Sequence, residues 1–193
     1  MVFSVLNLSL NLNLNLNLNL NLKLIHGVIM EKPQVLILMG SKSDLPVMEE
    51  AKKVLAELGV GSRMHIASAH RTPDKAMGLA RNAKGEGIKV IVAGAGFAAH
   101  LAGAIAANTT LPVIGVPLEA SSLSGLDALL STVQMPSGIP VATVAVGKAG
   151  ARNAGILAAQ MIALSDDSLA ETLSEFRKNM SEKVKKADDE LQG

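Results

Sequence analysis

The sequence predicts an α/β fold: a three-layer sandwich with a five-stranded parallel sheet, flavodoxin-like, plus a C-terminal helix. Short apolar runs of strand length alternate along the chain with stretches of helical periodicity, and no hairpin signal joins two of the runs. Such alternation gives right-handed βαβ units and a parallel sheet covered on both faces. Because the chain has 17 glycines and only 2% aromatic residues, we expect backbones packed closely together rather than a core of large rings.

The strands are predicted from the apolar runs. Val35–Met39 is continuous and apolar, which is typical of a strand buried on both faces. Further strands are expected at residues 64–67, 89–93, 111–116 and 141–146. In a doubly wound sheet of this kind, ligands bind beyond the carboxyl ends of the strands, near the point where the strand order reverses.

Helices are predicted between these strands. Ser43 or Asp44 is expected to cap the first helix, which carries Pro46 in its first turn. Thr72 is expected to cap the second, with Pro73 in its first turn. The expected helical segments are 44–58, 73–82, 100–107, 126–133 and 151–164.

A last helix is predicted at residues 166–190, where no further strand follows. Its apolar residues form one stripe among many charges: Leu169, Leu173, Phe176, Met180 and Val184. An amphipathic helix without an obvious sheet to cover can pack on a neighbouring subunit. Packing on its own domain is the alternative.

Residues 1–29 differ from the rest of the chain, because Asn and Leu alternate without a break from Asn11 to Leu22. A uniform repeat specifies no strand register, so we interpret this tail as low-complexity sequence that is dispensable for folding. It has neither the basic start of a secretory signal nor the continuous apolar run of a membrane span. The preferred explanation is that the start codon is mis-assigned and that the protein begins at Met30. The alternative is a tail that pairs with another partner. Residues 30–193 are then a single catalytic domain.

Composition and charge exclude several classes of function. The 18 basic and 17 acidic residues give a net charge of +1 without any basic run, so no nucleic-acid or membrane partner is expected. The absence of cysteine excludes disulfides, thiol nucleophiles, iron–sulfur clusters and cysteine-based zinc sites, and it suits a cytoplasmic location. No two histidines have metal-ligand spacing, and His65 within a strand is expected to play a core or surface role.

Polar corners follow the first three predicted strands. The corner 68–73 holds Ser68, His70 and Arg71 directly before a helix, which favours anion binding. His70 is the group there that can exchange a proton near neutral pH. Because parallel strands end at one edge, we expect Ser41, Asp44, His70, Arg71 and His100 to converge on one crevice. Ordinary caps, turns and solvated charges are the alternative.

A glycine motif in the third corner offers a second interpretation. Gly94-x-Gly96-x-x-Ala99 matches a loose dinucleotide fingerprint, with Glu119 at nearly the expected distance. That fingerprint belongs after the first strand of a nucleotide-binding unit, whereas here it follows the third. The same glycines also let the backbone approach a small substrate closely. A nicotinamide oxidoreductase therefore stays an alternative.

Five motifs together carry a resemblance to a known family. They are Gly40-Ser41-x-Ser43-Asp44, Ser68-Ala69-His70-Arg71-Thr72-Pro73, Gly94-Ala95-Gly96-x-Ala98-Ala99-His100-Leu101, Val133-Gln134-Met135-Pro136 and Gly138-Ile139-Pro140-Val141. In this order they resemble the class I N5-carboxyaminoimidazole ribonucleotide mutases, the catalytic subunit of phosphoribosylaminoimidazole carboxylase in purine synthesis. Arg71 favours class I over the direct carboxylases of class II, which usually carry Lys there. Phe97 and Ala102 depart from the Gly and Pro of many relatives.

The resemblance implies a role for each matching position. The ribose phosphate would be held by Ser41, Ser43, Asp44, Ser68 and Arg71. The base and carboxylate would be lined by Ala95, Gly96 and Leu101 through backbone groups, with His100 supporting the loop or the carboxylate.

The resemblance also implies the reaction. His70 would be the catalytic proton carrier, and the reaction would move a carboxyl group from nitrogen to carbon without a metal or any other cofactor. A homo-octamer is implied as well. Direct use of CO2 by an aminoimidazole ribonucleotide carboxylase and a non-catalytic flavodoxin-like interaction domain remain alternatives.

Overall fold

The computed structural model describes residues 32–193, and the fold is given for that part of the chain. The interpretation of residues 1–29 as a dispensable tail, and of Met30 as the start, lies outside the described residues.

The sheet has five parallel strands, as predicted. They are β1 (Val35–Met39), β2 (Ser62–Ile66), β3 (Val90–Ala95), β4 (Val113–Pro117) and β5 (Ala142–Thr143). Their order is β2-β1-β3-β4-β5, and every neighbouring pair is parallel. The order in which successive strands are added to the sheet thus reverses at β1, which has β2 on one side and β3 on the other. The prediction of a six-residue fifth strand is wrong, because only two residues pair with β4 at this edge.

Six α-helices accompany these strands in residues 32–193. They are α1 (Leu45–Glu57), α2 (Pro73–Ala83), α3 (His100–Ala106), α4 (Leu126–Val133), α5 (Gly147–Ala163) and α6 (Asp167–Gln192). Single 3-10 turns precede α1 and follow α2, at Lys42–Asp44 and Lys84–Glu86. The prediction for α4 matches its observed bounds, whereas α5 begins at Gly147 rather than Ala151. Among the described helices, none is long and apolar enough to cross a membrane.

Two apolar cores cover the two faces of the sheet, and β1 contributes to both. Val35, Ile37 and Met39 belong to the core that includes α1, α5 and the start of α6. Leu36 and Leu38 belong to the core that includes α2 and α3. All five side chains are fully or almost fully buried. The continuous apolar run of β1 therefore follows from burial on both faces, and the three-layer prediction is confirmed.

Asp44 and Thr72 occupy the N-cap positions of α1 and α2, as predicted, but neither side chain makes the expected capping hydrogen bond. Asp44 stands at the start of α1, but its Oδ2 atom accepts a hydrogen bond from the backbone N–H of Ser41 at 2.9 Å. Thr72 stands before α2, but its Oγ1 atom accepts from the N–H of Ser68 at 2.9 Å. Both side chains close the preceding corner instead of capping the helix that follows, because these short polar side chains compete for nearby backbone groups.

Helix α6 packs on its own domain with its first turns only. Asp166 caps it by accepting a hydrogen bond from the N–H of Leu169 at 3.0 Å, and Leu169 and Leu173 are buried. Further along the same stripe, Met180 and Val184 are 53% and 71% exposed. The apolar stripe predicted from the sequence is thus covered at one end and uncovered at the other.

Helices α1 and α5 approach each other closely at Gly155. A Cβ atom at this position would clash with the side chain of Val54 and lie 2.8 Å from the carbonyl oxygen of Ala51. Gly78, in the interior of α2, has open space where its Cβ atom would be. Both glycines lie within helices, but only Gly155 is required by a close contact between helices.

We predict opposite effects of one substitution at these two positions. Gly155→Ala should lower the free energy of unfolding by about 1 to 3 kcal/mol, because the helices must separate to admit the methyl group. Gly78→Ala should raise it by about 0.5 to 1 kcal/mol, because alanine is the better helix former and nothing obstructs it. Urea denaturation of both variants checks this prediction. Destabilisation of equal size at both positions would contradict the assigned helix contact.

Candidate active site

A cavity of about 470 Å³ lies at the carboxyl ends of the strands, where the corners after β1, β2 and β3 meet. The structure brings all ten sequence-predicted site residues to its wall: Ser41, Ser43, Asp44, Ser68, His70, Arg71, Ala95, Gly96, His100 and Leu101. The expected convergence of residues far apart in sequence is therefore present in the fold.

The first corner, after β1, is a closed loop of polar groups. Ser41 Oγ accepts hydrogen bonds from the hydroxyl of Ser43 at 2.9 Å and from its backbone N–H at 3.3 Å. Asp44 Oδ1 lies 3.3 Å from the same Ser43 hydroxyl, while Oδ2 accepts from the N–H of Ser41. These reciprocal bonds form a capping box around the 3-10 turn. They hold two hydroxyls and a carboxylate at fixed positions on the cavity wall.

The second corner, after β2, is organised around Ser68. Its Oγ atom accepts from the backbone N–H groups of His70 at 3.3 Å and Arg71 at 3.1 Å. Its own backbone groups bond to Thr72, so the segment closes on itself before α2 begins. This local network fixes the backbone from which the side chains of His70 and Arg71 extend.

Two side-chain bonds join the three corners. Arg71 Nη2 donates to the carbonyl oxygen of Gly40 at 2.9 Å, which links the second corner to the first. His70 Nε2 lies 2.7 Å from His100 Nδ1, which links the second corner to the third. The two imidazole rings are nearly perpendicular, at 83°, with centroids 4.8 Å apart. At this distance one nitrogen carries the proton and the other accepts it.

The third corner, between β3 and α3, contains two non-glycine residues in unusual backbone conformations. Phe97 and Ala99 have φ values of 55° and 44°, in the left-handed region. At Gly96, a Cβ atom would clash with the methyl group of Ala120 and lie 3.3 Å from the carbonyl oxygen of Leu118. The loop after β4 therefore forms part of the cavity wall through Ala120.

Sequence reasoning assigned no site role to six lining residues: Gly40, Ala69, Phe97, Ala98, Ala99 and Ala120. Five of them lie within the three predicted corners. Ala120 comes from a fourth segment and has no polar group, so no chemical signal in the sequence points to it. The glycine at position 96 is the one sequence feature that reflects the close approach of Ala120.

Packing accounts for the dinucleotide-like glycines. Gly94 is buried in β3, and a Cβ atom there would lie 2.9 Å from Cε of Met48 in α1. Gly96 makes room for the loop after β4, as described above. Since the motif follows β3 and both glycines have partners within the chain, it gives no support to a nucleotide-binding turn.

The charges at the cavity set its chemistry. Arg71 is the permanent cation among the lining residues and Asp44 the carboxylate, with His70 and His100 as groups that can exchange protons. Hydroxyls and an arginine can hold a phosphorylated sugar, and the histidines can move a proton beside it. Within residues 32–193, no three histidine, aspartate or glutamate side chains are grouped to hold a metal ion.

His65 lies outside this cavity, in the edge strand β2. Burial lowers its pKa, and the positive charges of Arg63 and Lys75 lower it further. A neutral, half-buried ring in the sheet fits the core or surface role expected of this residue.

The fold and the cavity define the class of the protein: a flavodoxin-like α/β protein with a small-molecule site at the carboxyl edge of its sheet. The chain belongs to the AIR carboxylase family, whose family model matches residues 34–183.

Similar proteins agree with this assignment. The N5-carboxyaminoimidazole ribonucleotide mutase of Haemophilus influenzae is 56% identical over 151 residues, which cover 78% of this chain and 92% of that protein. The protein of the same name from Bacillus subtilis is 53% identical over 160 residues, covering 83% and 99%. The crystal structure of Treponema denticola PurE superposes with a TM-score of 0.75 at 28% identity, covering 83% of this chain and 99% of that chain.

Proposed function

We propose that the protein is an N5-carboxyaminoimidazole ribonucleotide mutase of de novo purine biosynthesis. It moves a carboxyl group from the exocyclic nitrogen of the substrate to the ring carbon, giving 4-carboxy-5-aminoimidazole ribonucleotide. The observation that carries this conclusion is identity above 50% to mutases that the chain matches over almost their whole length. The comparisons do not favour a direct CO2-using carboxylase or a nicotinamide oxidoreductase.

The first corner provides groups that can bind the ribose phosphate of the substrate. Asp44 accepts hydrogen bonds only, and a carboxylate has more lone pairs than its two present partners use, so it suits the ribose hydroxyls. Ser41 and Ser43 present hydroxyls that can reorient toward a phosphate oxygen. Their mutual hydrogen bond keeps both groups in place before the substrate arrives.

The second corner completes this binding site for the ribose phosphate. The guanidinium of Arg71 has five N–H donors, and one of its terminal nitrogens contacts Gly40, so further donors stay free for a phosphate. Ser68 contributes a hydroxyl beside it. Because charge-assisted hydrogen bonds are about twice as strong as neutral ones, Arg71 contributes most to holding the phosphate.

The third corner faces the base and its carboxylate. Ala95, Gly96 and Leu101 offer backbone groups there, while the side chain of Leu101 is buried in the apolar core beneath. His100 supports the site through its contact with His70, and its imidazole is also within the same cavity wall. Ala120 lies so close to Gly96 that the backbone at position 96 has no room for a side chain.

His70 carries the proton through both halves of the reaction. Its imidazolium protonates the carbamate nitrogen, the C–N bond breaks, and CO2 is released within the pocket. The ring carbon then attacks CO2, a C–C bond forms, and the now neutral imidazole removes the proton from that ring carbon. The histidine is thereby recharged and the proton balance closes. The rearrangement is redox-neutral, so its chemistry needs no cofactor as oxidant or reductant, and we propose that none is used.

The choice of carboxyl donor tests this function. Protein supplied with N5-carboxyaminoimidazole ribonucleotide should form the C-carboxylated product, whereas aminoimidazole ribonucleotide with CO2 should react much more slowly. Product formation followed by absorbance, with each donor in a separate reaction, checks this. Faster turnover with CO2 would establish the direct carboxylase instead.

Two substitutions should separate proton transfer from binding. In His70→Asn, the substrate phosphate keeps Arg71 and the serines, so binding should persist while turnover falls at least ~100- to 10,000-fold. Arg71→Lys should weaken binding first, because an ammonium group cannot reproduce the planar fork. Calorimetric titration and turnover of both variants, with Lys84→Ala as a surface control, check this. Near-normal turnover by a folded His70→Asn variant would contradict the assigned role.

We further propose a cytoplasmic homo-oligomer, and by the resemblance an octamer. The cytoplasmic location is in keeping with the cysteine-free composition. Helix α4 supports the assembly, because Leu126, Leu130 and Val133 are 55%, 52% and 50% exposed along it. The uncovered end of the α6 stripe adds Met180 and Val184. Exposed apolar surfaces of this kind are typical of subunit contacts.

Light scattering should therefore give eight times the 20.0 kDa mass of the chain. Leu130→Asp places a charge within the exposed apolar surface of α4 and should lower the mass. Asn82→Asp adds the same charge on an exposed turn of α2 and serves as its control. A wild-type protein that is active as a stable monomer would rule the assembly out.

A further inference from the structure

Phe97 has an unfavourable backbone conformation and little packing within its own domain. It lies in the third corner, with a φ value of 55°. The residue lines the cavity, yet it is 61% exposed and contributes to neither apolar core. Most large apolar residues of β1 to β4 are, by contrast, buried. The position of Phe97 thus calls for a physical explanation.

The described domain gains little stability from this residue. A positive φ is costly for a bulky side chain, because its Cβ atom crowds the backbone, whereas glycine adopts it freely. Burial of the ring could offset that cost, but most of the residue remains in water. Backbone strain that persists without a compensating contact is characteristic of ligand-binding sites. A ligand that covers the ring would supply the missing burial.

The surroundings of Phe97 indicate which part of a ligand it meets. It directly follows Ala95 and Gly96, the positions proposed to line the base, and precedes the small Ala98. The polar groups that suit ribose and phosphate lie in the first two corners. A flat apolar ring next to the base positions suits a planar heteroaromatic group, because aromatic rings stack or meet edge to face.

We propose that Phe97 is a specificity-determining residue whose ring covers the aminoimidazole ring of the bound ribonucleotide and shields it from water. This inference rests on the proposed function and adds a contact to the site. The ring is exposed in the free protein and becomes buried when the nucleotide binds. Its contribution is directed at the base and not at the sugar phosphate.

The test compares two ligands on two variants. In Phe97→Gly, the affinity for 4-carboxy-5-aminoimidazole ribonucleotide should fall about 3- to 10-fold, the range expected for one aromatic contact. The affinity for ribose 5-phosphate, which has no base, should not change. Phe97→Tyr keeps the ring and should bind the nucleotide like the wild type. Calorimetric titration gives all of these affinities.

Ser124→Gly is the matched control for backbone strain. Ser124 also has a positive φ, of 50°, but it is not among the residues that line the cavity. Its replacement by glycine relieves similar strain and should leave both affinities unchanged. Phe97→Gly should meanwhile melt at the same temperature as the wild type or higher, so that its loss of binding cannot come from unfolding.

Three results would overturn the proposal. An equal loss of affinity for both ligands would show that Phe97 shapes the phosphate-binding part of the site. Unchanged nucleotide affinity in Phe97→Gly would show that the ring does not meet the base. A lower mass in light scattering, with nucleotide affinity intact, would assign the ring to a contact between copies of the chain. Failure of the mutase function itself would appear separately, as absence of carbamate turnover by the wild type.

Discussion

The adjacency of β2, β1 and β3 is the constraint on which the candidate site depends. Neighbouring strands in a sheet lie only about 5 Å apart, so the corners that follow three adjacent parallel strands must meet. The order β2-β1-β3 places the corners at residues 40–44, 68–72 and 96–100 side by side. Arg71 then needs to reach across only one strand spacing to bond with Gly40, whereas His70 and His100 meet across the end of β1, which lies between their strands. The second corner, on the edge strand β2, thus joins the other two.

The sequence predicts this arrangement where hydrophobic pattern and topology act together. A five-residue run such as Val35–Met39 is apolar at every position because both of its faces are covered, and this pattern predicted both the strand and its burial on both faces. At the edge the same reasoning failed. The segment after Pro140 is apolar, but only Ala142 and Thr143 pair with β4 before the chain turns into α5 at Gly147. A strand's length depends on its partner, which the segment's own sequence does not contain.

Two further features could not be predicted from the sequence: the hydrogen-bond partners of short polar side chains, and the groups that approach the glycines. Asp44 and Thr72 stand at cap positions, yet their side chains accept hydrogen bonds from N–H groups of the preceding loops, at Ser41 and Ser68. The glycine motif is ambiguous for a related reason. Glycines mark a close approach of backbone to something, whether a pyrophosphate or another part of the chain. In this fold the approaching groups are Met48 and the loop at Ala120, and only the three-dimensional structure identifies them.

The contact between His70 and His100 bears on how the proposed proton transfer begins. A nitrogen that shares a proton with His100 cannot at the same time face a substrate, so the bound state must either use His70 Nδ1 or break the 2.7 Å contact. Breaking it is feasible, because an imidazole can turn about its side-chain bonds without moving the backbone. The bonds of Ser68 to His70 and Arg71, and of Arg71 to Gly40, hold that backbone in place meanwhile. The site therefore combines a fixed anion-binding frame with one side chain that is free to change partners.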